Sequence, residues 1–521
     1  MKFFSSVPSV YPWTSSQGLS FRGYFLADEK RYRDLAAVEY LRNALSAQSP
    51  EQVFSALNGV FSVIWETENR VVFAVDRLRG LPLFYALSGG TLLVGDDAHG
   101  IACAMPEMAV AQDAAEIYAS TTLFVTGRDT LLAGLFQVQA GTFCVYQGHT
   151  VSEHTYYRLE PGKQEGNPAV LKDAFHTAYK TVGQHLVQAL DGRPAIVPLS
   201  GGADSRMVLS MLRKARYPQV RCFTYGRPGN REAEISRRIA AEYGYPWEMV
   251  PYDASLLSGL RTDHIVADYC RFASAYTSTP HLQDFPAVMM LRRAGKLPAD
   301  AVFVPGHSGD MIAGSHITRD FLGQTMSRQA FLQSIAHKFF LKPLSPGAWQ
   351  KVTAAFPERS PEDMEGLAAQ SAWFNIQERQ AKFIVNSVRV YEFFGYEWLI
   401  PLWDNVLFDF WSHVPLPLRY GRKLYFDAIG EETVASTNDA TPQKAVASAV
   451  RRLPGVRTAA RRGTRVMRYW RSSLQLERLF PLGTYLRGCL TGSELFDVNH
   501  LLCEQHLQAL RQKVETSRRQ G

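Results

Sequence analysis

The chain has 521 residues, 46% of them hydrophobic and 20% charged, with a formal net charge of +7. Those proportions exclude an intrinsically disordered chain, and the length allows roughly two to four domains, each with its own core. The moderate excess of cations favours an acidic partner without choosing among nucleotide, acidic peptide, nucleic acid or a membrane surface.

Six cysteines are present, at positions 103, 144, 222, 270, 489 and 503. No two have C-x-x-C spacing and no Cys/His cluster has the spacing of a metal site, so buried, reduced thiols of a cytoplasmic protein are expected. The opening residues Met1-Lys2-Phe3-Phe4-Ser5-Ser6-Val7-Pro8 carry no sustained apolar run and do not read as a signal peptide. No stretch of about 18 uncharged apolar residues occurs, so no membrane span is expected.

Along the chain, residues up to about Pro168 read mainly as strands. Phe61-Ser62-Val63-Ile64-Trp65, Val71-Val72-Phe73-Ala74-Val75 and Thr91-Leu92-Leu93-Val94 are short β-type runs, and Gly141 to Tyr146 followed by Gln147-Gly148-His149 reads as a hairpin. Met108 to Ala119 is helix-like between them. The segment from Glu160 to Pro168 is polar and rich in breakers, which marks a linker and divides the chain into domains 1–165 and 166–521. Beyond it, helical patterns alternate with apolar runs at Ala195–Leu199, Val220–Tyr225, Trp247–Val250 and Ala301–Val304. That alternation predicts an α/β domain with a parallel, doubly wound sheet. From about Ser327 the pattern is helical and aromatic. Near the end, Arg451 to Arg471 is rich in arginine and free of acids; it suits a solvated helix face or a contact surface for something acidic.

The most informative segment is Leu199-Ser200-Gly201-Gly202-Ala203-Asp204-Ser205. A buried strand, two glycines and a helix start aim backbone N–H groups at an anion. The glycines let phosphate oxygens approach without a Cβ in the way. Ser200 and Ser205 supply hydroxyls. Asp204 would repel a bare phosphate and makes sense with a bridging Mg²⁺. An ordinary strand–helix turn would also hold two glycines; the complete S-G-G-x-D-S pattern points to phosphate. G-x-x-x-x-G-K-[ST] is absent, which disfavours γ-phosphate chemistry.

These residues resemble the pyrophosphate loop of the ATP pyrophosphatases and, with others, the asparagine synthetase family. Leu57 to Trp65, Val75-Asp76-Arg77-Leu78-Arg79-Gly80 to Tyr85, and Thr130 to Gly141 look like that family's glutaminase-type domain. Val302 to Asp310 is similar to its second ATP segment. Glu397-Trp398-Leu399-Ile400-Pro401-Leu402-Trp403-Asp404 is similar to its E-x-R-V-P-F-L-D segment. The resemblance implies a β-rich, amidotransferase-like sandwich followed by an ATP-binding synthetase domain with a helical C-terminal part. It also implies ATP as cofactor, contacted by Leu199, Ser200, Gly201, Gly202, Asp204, Ser205, Thr224, Pro305 and Gly306. Mg²⁺ would sit on Asp204 and Asp310.

Two departures from the family pattern stand out. Lys2 occupies the position of the glutaminase cysteine, and a lysine does not replace that nucleophile, so no ammonia from glutamine is expected. His307 stands where the family carries Glu or, in β-lactam synthetases, a Tyr paired with a Glu. An imidazole suits proton removal from an amine, and Glu397 is the expected partner of a His307–Glu397 dyad. It equally suits a His merely hydrogen-bonded beside the nucleotide. Lys444 matches a late lysine of the family that stabilises developing negative charge, and it also suits a plain surface lysine.

The run 373–395 resembles the lasso peptide macrolactam synthetases. That implies an AMP-forming ligase joining an Asp or Glu side chain of a precursor peptide to the peptide's N-terminal amine, with a leader peptidase and a leader-binding protein as partners and no nucleic acid. An ammonia-dependent asparagine synthetase, a β-lactam synthetase-like enzyme and a degenerate nucleotide-binding protein share the same motifs.

Overall fold

In a computed structural model, the structure describes residues 1–6, 9–163, 165–323, 325–357 and 363–432. Towards the C-terminus it describes 474, 476–480, 484–485 and 498–520. Lys444, Cys489 and the arginine-rich stretch 451–471 lie outside the described residues.

The N-terminal half is built on two sheets. The first has the order β1 (Lys2–Phe4), β8 (Thr91–Gly95), β7 (Phe84–Ser88), β9 (Leu135–Gln137). The second runs β11 (Thr150–Thr155), β10 (Thr142–Gln147), β6 (Val71–Val75), β5 (Asn58–Glu66), β3 (Leu19–Ala27), β2 (Thr14–Ser16), with β4 (Lys30–Tyr32) on β3. Side-chain alternation decides the layers. Ile64, Phe73 and Val75 turn inward against Tyr85, Leu92 and Val94 of the facing sheet. Phe61, Val63, Val72 and Ala74 turn outward under α1 (Asp34–Ala47) and α2 (Pro50–Ala56). The four-stranded sheet is covered on its far face by α3 (Ala98–Ala104), α4 (Gln112–Thr121) and the C-terminal helix Val498–Gln520. The result is the expected sandwich, with helices on both outer faces. The helix anticipated over 108–119 starts later, because Val110 is held in an antiparallel bridge to Leu132.

The polar segment after residue 155 is irregular, as expected, but it is tied down: Gly162 and Glu165 donate N–H bonds to the carbonyls of Ser412 and His413 at 2.9 and 3.1 Å. Asn167 then caps α5 (Pro168–Leu190), accepting from Ala169 N at 3.0 Å, with Pro168 in the first turn where its missing N–H costs nothing. Leu171, Phe175, Val182 and Leu186 form the buried stripe of α5 against the second core.

That core surrounds an all-parallel sheet ordered β14 (Trp247–Pro251), β13 (Val220–Gly226), β12 (Ala195–Pro198), β15 (Val302–Phe303), β16 (Glu397–Trp398). The chain winds outward from β12 through α6 (Ala203–Lys214), β13, α7 (Arg231–Tyr243) and β14, then returns to the other side of β12. The order therefore reverses between β12 and β15, and a ligand crevice is expected at their carboxyl ends. Four strands fall where the alternation predicted them. The fifth, β16, has two residues and no periodicity of its own.

The run 373–395 is one distorted helical rod. It passes from an α-helix (Met364–Phe374) into a π-helix (Asn375–Ile384) and a 3₁₀ turn (Val385–Val388). Lys382 anchors it to the N-terminal half. Its ammonium donates to Val125 O at 2.8 Å, Gly127 O at 2.8 Å and Glu378 Oε2 at 2.6 Å, which uses all three donors. Two thiols depart from the expectation of burial: Cys103 is exposed and Cys270 half-buried.

Candidate nucleotide and acyl-transfer site

The turn Ser200–Gly202 leaves β12 at its carboxyl end and opens α6, whose N-terminus has no side-chain cap. Its first N–H groups and the positive end of its dipole thus face the crevice. The two serines close the turn: Ser205 Oγ lies 3.1 Å from Ser200 Oγ and accepts from Ser200 N at 3.2 Å, and Ser200 Oγ accepts from Gly202 N at 3.2 Å. Leu199 and Thr224 lie underneath. Thr224 Oγ1 donates to Leu199 O at 2.6 Å and accepts from Trp247 Nε1 at 3.0 Å, so this hydroxyl braces the loop from the protein side.

The second loop, Pro305 to Asp310, leaves β15 beside the first. A Cβ on Gly306 would lie 2.5 Å from Ser205 N and 2.7 Å from Asp204 C, so only glycine lets the two loops touch backbone to backbone. Asp310 N donates to Asp204 Oδ2 at 3.2 Å, which brings the two acids together. Burial and the neighbouring Asp310 push the Asp204 carboxyl up to about 6. Tyr425 donates its hydroxyl to Asp204, and Arg422 donates to Asp310 Oδ2 at 3.2 Å. Two adjacent carboxylates, one of them half-buried in like charge, fit a hard divalent cation that takes the rest of its ligands from phosphates and water. Among the described residues no group of three or more His, Cys, Asp or Glu is arranged to hold a metal.

His307 and Glu397 are not brought together, and the expected dyad is corrected. In the β15–β16 register Val302 pairs with Glu397, which sets Glu397 at the amino ends of the strands. His307 follows Val302 by five residues, beyond the carboxyl ends. Glu397 instead accepts from Arg193 Nη1 at 2.7 Å and Arg33 Nη2 at 3.4 Å, with Arg31 Nη2 at 3.7 Å. Two of those arginines come from the N-terminal half, so this carboxylate clamps the halves together.

The neighbours of His307 come from the distorted rod and from the Asp284 network. His307 Nε2 lies 2.9 Å from Ser387 Oγ. Asp284 lies close enough to act on His307 electrostatically, and it accepts from Tyr225 and Tyr391 hydroxyls at 2.5 Å each. Burial outweighs that carboxylate and lowers the His307 imidazole to about 4, so it is neutral at pH 7. Next to it, Ser308 sits in the left-handed region at φ 61 and donates its hydroxyl to Gln380 Oε1 at 2.6 Å. Lys2, on β1, is exposed.

Tyr425 and Arg422 were not singled out by sequence reasoning, and Ser387 and Gln380 only as members of the run 373–395. Each lies far along the chain from the loop it supports.

Residues 20–157 match the family model of the glutamine amidotransferase domain, and residues 180–425 match that of asparagine synthase. The two matches follow the two halves of the fold: a glutamine amidotransferase-like sheet domain, then an asparagine synthase-like domain. No curated protein matches the chain. A solved structure, glutamine phosphoribosylpyrophosphate amidotransferase from B. subtilis complexed with ADP and GMP, is similar at 11% identity and a TM-score of 0.18, over 56% of this chain. The match spans 63% of that protein, less than two thirds of its length. Among the described residues no helix is long and apolar enough to cross a membrane.

Proposed function

We propose that the chain is an AMP-forming amide ligase that closes a macrolactam. The observation that carries the ligase reading is the meeting of two loops at the switch point of the sheet, with an uncapped helix N-terminus on one and a pair of acids, Asp204 and Asp310, between them. A substrate carboxylate oxygen attacks the α-phosphorus of ATP. The bond to the β-phosphate oxygen breaks, and pyrophosphate leaves against the Ser200–Ser205 turn and the α6 N-terminus. Asp204 and Asp310 would hold Mg²⁺, which when bound would neutralise charge on the phosphates. An amine then attacks the acyl carbon and AMP departs, while the amine proton passes to His307.

Lys444 is proposed to stabilise the charge that develops on the acyl adenylate. Leu199, Thr224 and Pro305 shape the nucleotide crevice. The macrolactam step, with an Asp or Glu side chain and the N-terminal amine of one precursor peptide, rests on the resemblance carried by the run 373–395. Holding both groups in one folded peptide makes the attack intramolecular. A leader peptidase, a leader-binding protein and a cytoplasmic setting follow from the same reading. The asparagine synthase match equally favours a second reading, in which ammonia attacks the adenylate of free aspartate.

Incubation with ATP, Mg²⁺ and either Asp- or Glu-containing peptides or aspartate plus ammonium separates these readings. The expected products are AMP, pyrophosphate and a peptide lighter by one water. Asparagine as product selects the second reading, and ADP as the main nucleotide overturns both.

A further inference from the structure

Beside Asp310 the structure holds a cavity of about 750 Å³ that extends away from the Ser200–Ser205 turn. It lies where the two halves meet. The end of α4 gives Thr122, the second loop gives Ser308 and Asp310, the helix Arg328–Phe339 gives Lys338, and the π-helix gives Asn375 and Arg379. Pockets of roughly 300–1,000 Å³ take ligands of drug size. The volume thus suits several peptide residues rather than one free amino acid. The apolar Phe339, Phe383 and Ile384 line the same space and suit side chains of such a segment.

The charges in the wall are unbalanced. Arg379 makes no hydrogen bond or ion pair with the described residues, and Asp310 is the carboxylate that acts on it. Asp310 in turn is engaged by Arg422. Lys338 uses one donor on His316 O at 2.8 Å and keeps two. The surrounding protein and the Arg379 guanidinium push the Lys338 ammonium down to about 8, so the two cations repel each other. The neighbouring acid on the rod, Glu378, is closed off against Lys382. Two cations without a free acid, beside a loop that would hold ATP, call for an anionic group of the ligand.

We propose that this cavity is the acceptor chamber for an acidic peptide segment, with Arg379 and Lys338 drawing its Asp or Glu carboxylate towards the nucleotide loops. This rests on the ligase reading for its chemistry. The recognition itself is a binding property and is tested without turnover.

The same anionic chemistry could come from the nucleotide's own phosphates, so both sources are measured. The full chain is titrated calorimetrically, in the presence of α,β-methylene ATP, with synthetic nonapeptides carrying one Asp or Glu, with their Asn or Gln twins, and with free aspartate. Pyrophosphate is titrated separately. Acidic peptides are expected to bind at least tenfold tighter than their amide twins and than free aspartate. Arg379→Gln should remove that preference while changing pyrophosphate affinity less than twofold, and Lys338→Gln should weaken it. Arg379→Lys should restore part of it, which separates lost charge from lost folding. Equal binding of acidic and amide peptides by the unaltered chain overturns the proposal. So does a loss of pyrophosphate affinity that matches the loss for peptides, or free aspartate binding as tightly as any peptide. If binding selectivity holds but no dehydrated product forms in the turnover assay, the macrolactam reading fails and the chamber stands.

Discussion

Ser387 Oγ lies 2.9 Å from His307 Nε2 and 2.7 Å from the carbonyl oxygen of Ile384. A serine hydroxyl has one proton, and the shorter contact to a carbonyl, which only accepts, takes it. The histidine must therefore donate Nε2–H to the serine, which leaves the lone pair on Nδ1. A neutral ring with a fixed tautomer leaves Nδ1 open to accept a proton from an amine, and burial makes that nitrogen a weak base. Nitrogen shifts of ¹⁵N-histidine-labelled protein should show a bare Nδ1 and a protonated Nε2 for His307, and Ser387→Ala should give a mixture. One hydrogen bond is worth about 1 kcal/mol, so the amide-forming step should slow about fivefold in that variant while ATP–pyrophosphate exchange keeps its rate. Parallel loss of both rates would assign Ser387 to nucleotide binding.

The low basicity of His307 has a consequence for stability. Its folded-state value, about 4, lies below the 6.5 of an unfolded chain. Between those limits the unfolded chain binds more protons, so this group lowers stability as pH falls from 6.5 towards 4 and is silent above 7. Replacing it with Gln removes that term. The melting temperature of His307→Gln relative to the unaltered protein should therefore rise as pH drops from 7 to 4.5. A constant difference across that range would contradict the assignment.

The strand–turn–helix at Ser200–Ser205 was legible in the sequence because its parts are consecutive. A buried strand, a glycine turn and a helix start need no distant contact to be recognised. Glu397 was misplaced for the opposite reason. Its motif is recognisable, but which end of the sheet it occupies depends on pairing with Val302, almost a hundred residues earlier, in a strand of two residues. Tyr425 was invisible on the same grounds, and Ser387, although inside the run 373–395, carried no signal of its contact with His307. The strands β5 and β6 were legible as apolar β-type runs, but each is buried on both faces, so which side chains meet which layer was not.

Gly306 offers a steric test of the contact between the loops. A methyl group there would drive into the backbone at Ser205 N and Asp204 C, at 2.5 and 2.7 Å, where no flexible side chain can give way. Gly306→Ala should push the loops apart and weaken ATP binding by tenfold or more, with a destabilisation of about 1–3 kcal/mol from overpacking. Calorimetric titration with ATP and thermal melting measure the two effects. Undiminished ATP affinity would show that the loops do not act as one site.

Asp204 and Asp310 should behave as a unit. If they share a cation with the phosphates, Asp204→Asn or Asp310→Asn should each suppress pyrophosphate release by at least a hundredfold, and the double variant should be little worse than either single one, because neither carboxylate holds the ion well alone. Tyr425→Phe removes only a hydrogen bond to Asp204 and should cost far less. Multiplicative losses in the double variant would mean that the two acids work independently.

Glu397 decides between a clamp and a base. Its carboxylate is engaged by Arg193 at 2.7 Å, Arg33 at 3.4 Å and Arg31 at 3.7 Å, with the Arg31 side chain only 8% exposed. Removing the acid leaves guanidinium groups facing one another without a counter-charge, and truncating one partner of a buried pair costs about 3–5 kcal/mol. The solvent reaching Arg33, whose side chain is 35% exposed, reduces this to about 2–3 kcal/mol. Glu397→Ala should therefore melt several degrees lower. Limited proteolysis should cut it faster in the segment 158–167 that joins the halves. Below its melting point it should keep both adenylate formation and the amide-forming step within a few-fold. The opposite pattern, an unchanged melting temperature with amide formation lost and pyrophosphate exchange intact, would return Glu397 to the chemistry and require the register of its strand with Val302 to be different in the working enzyme.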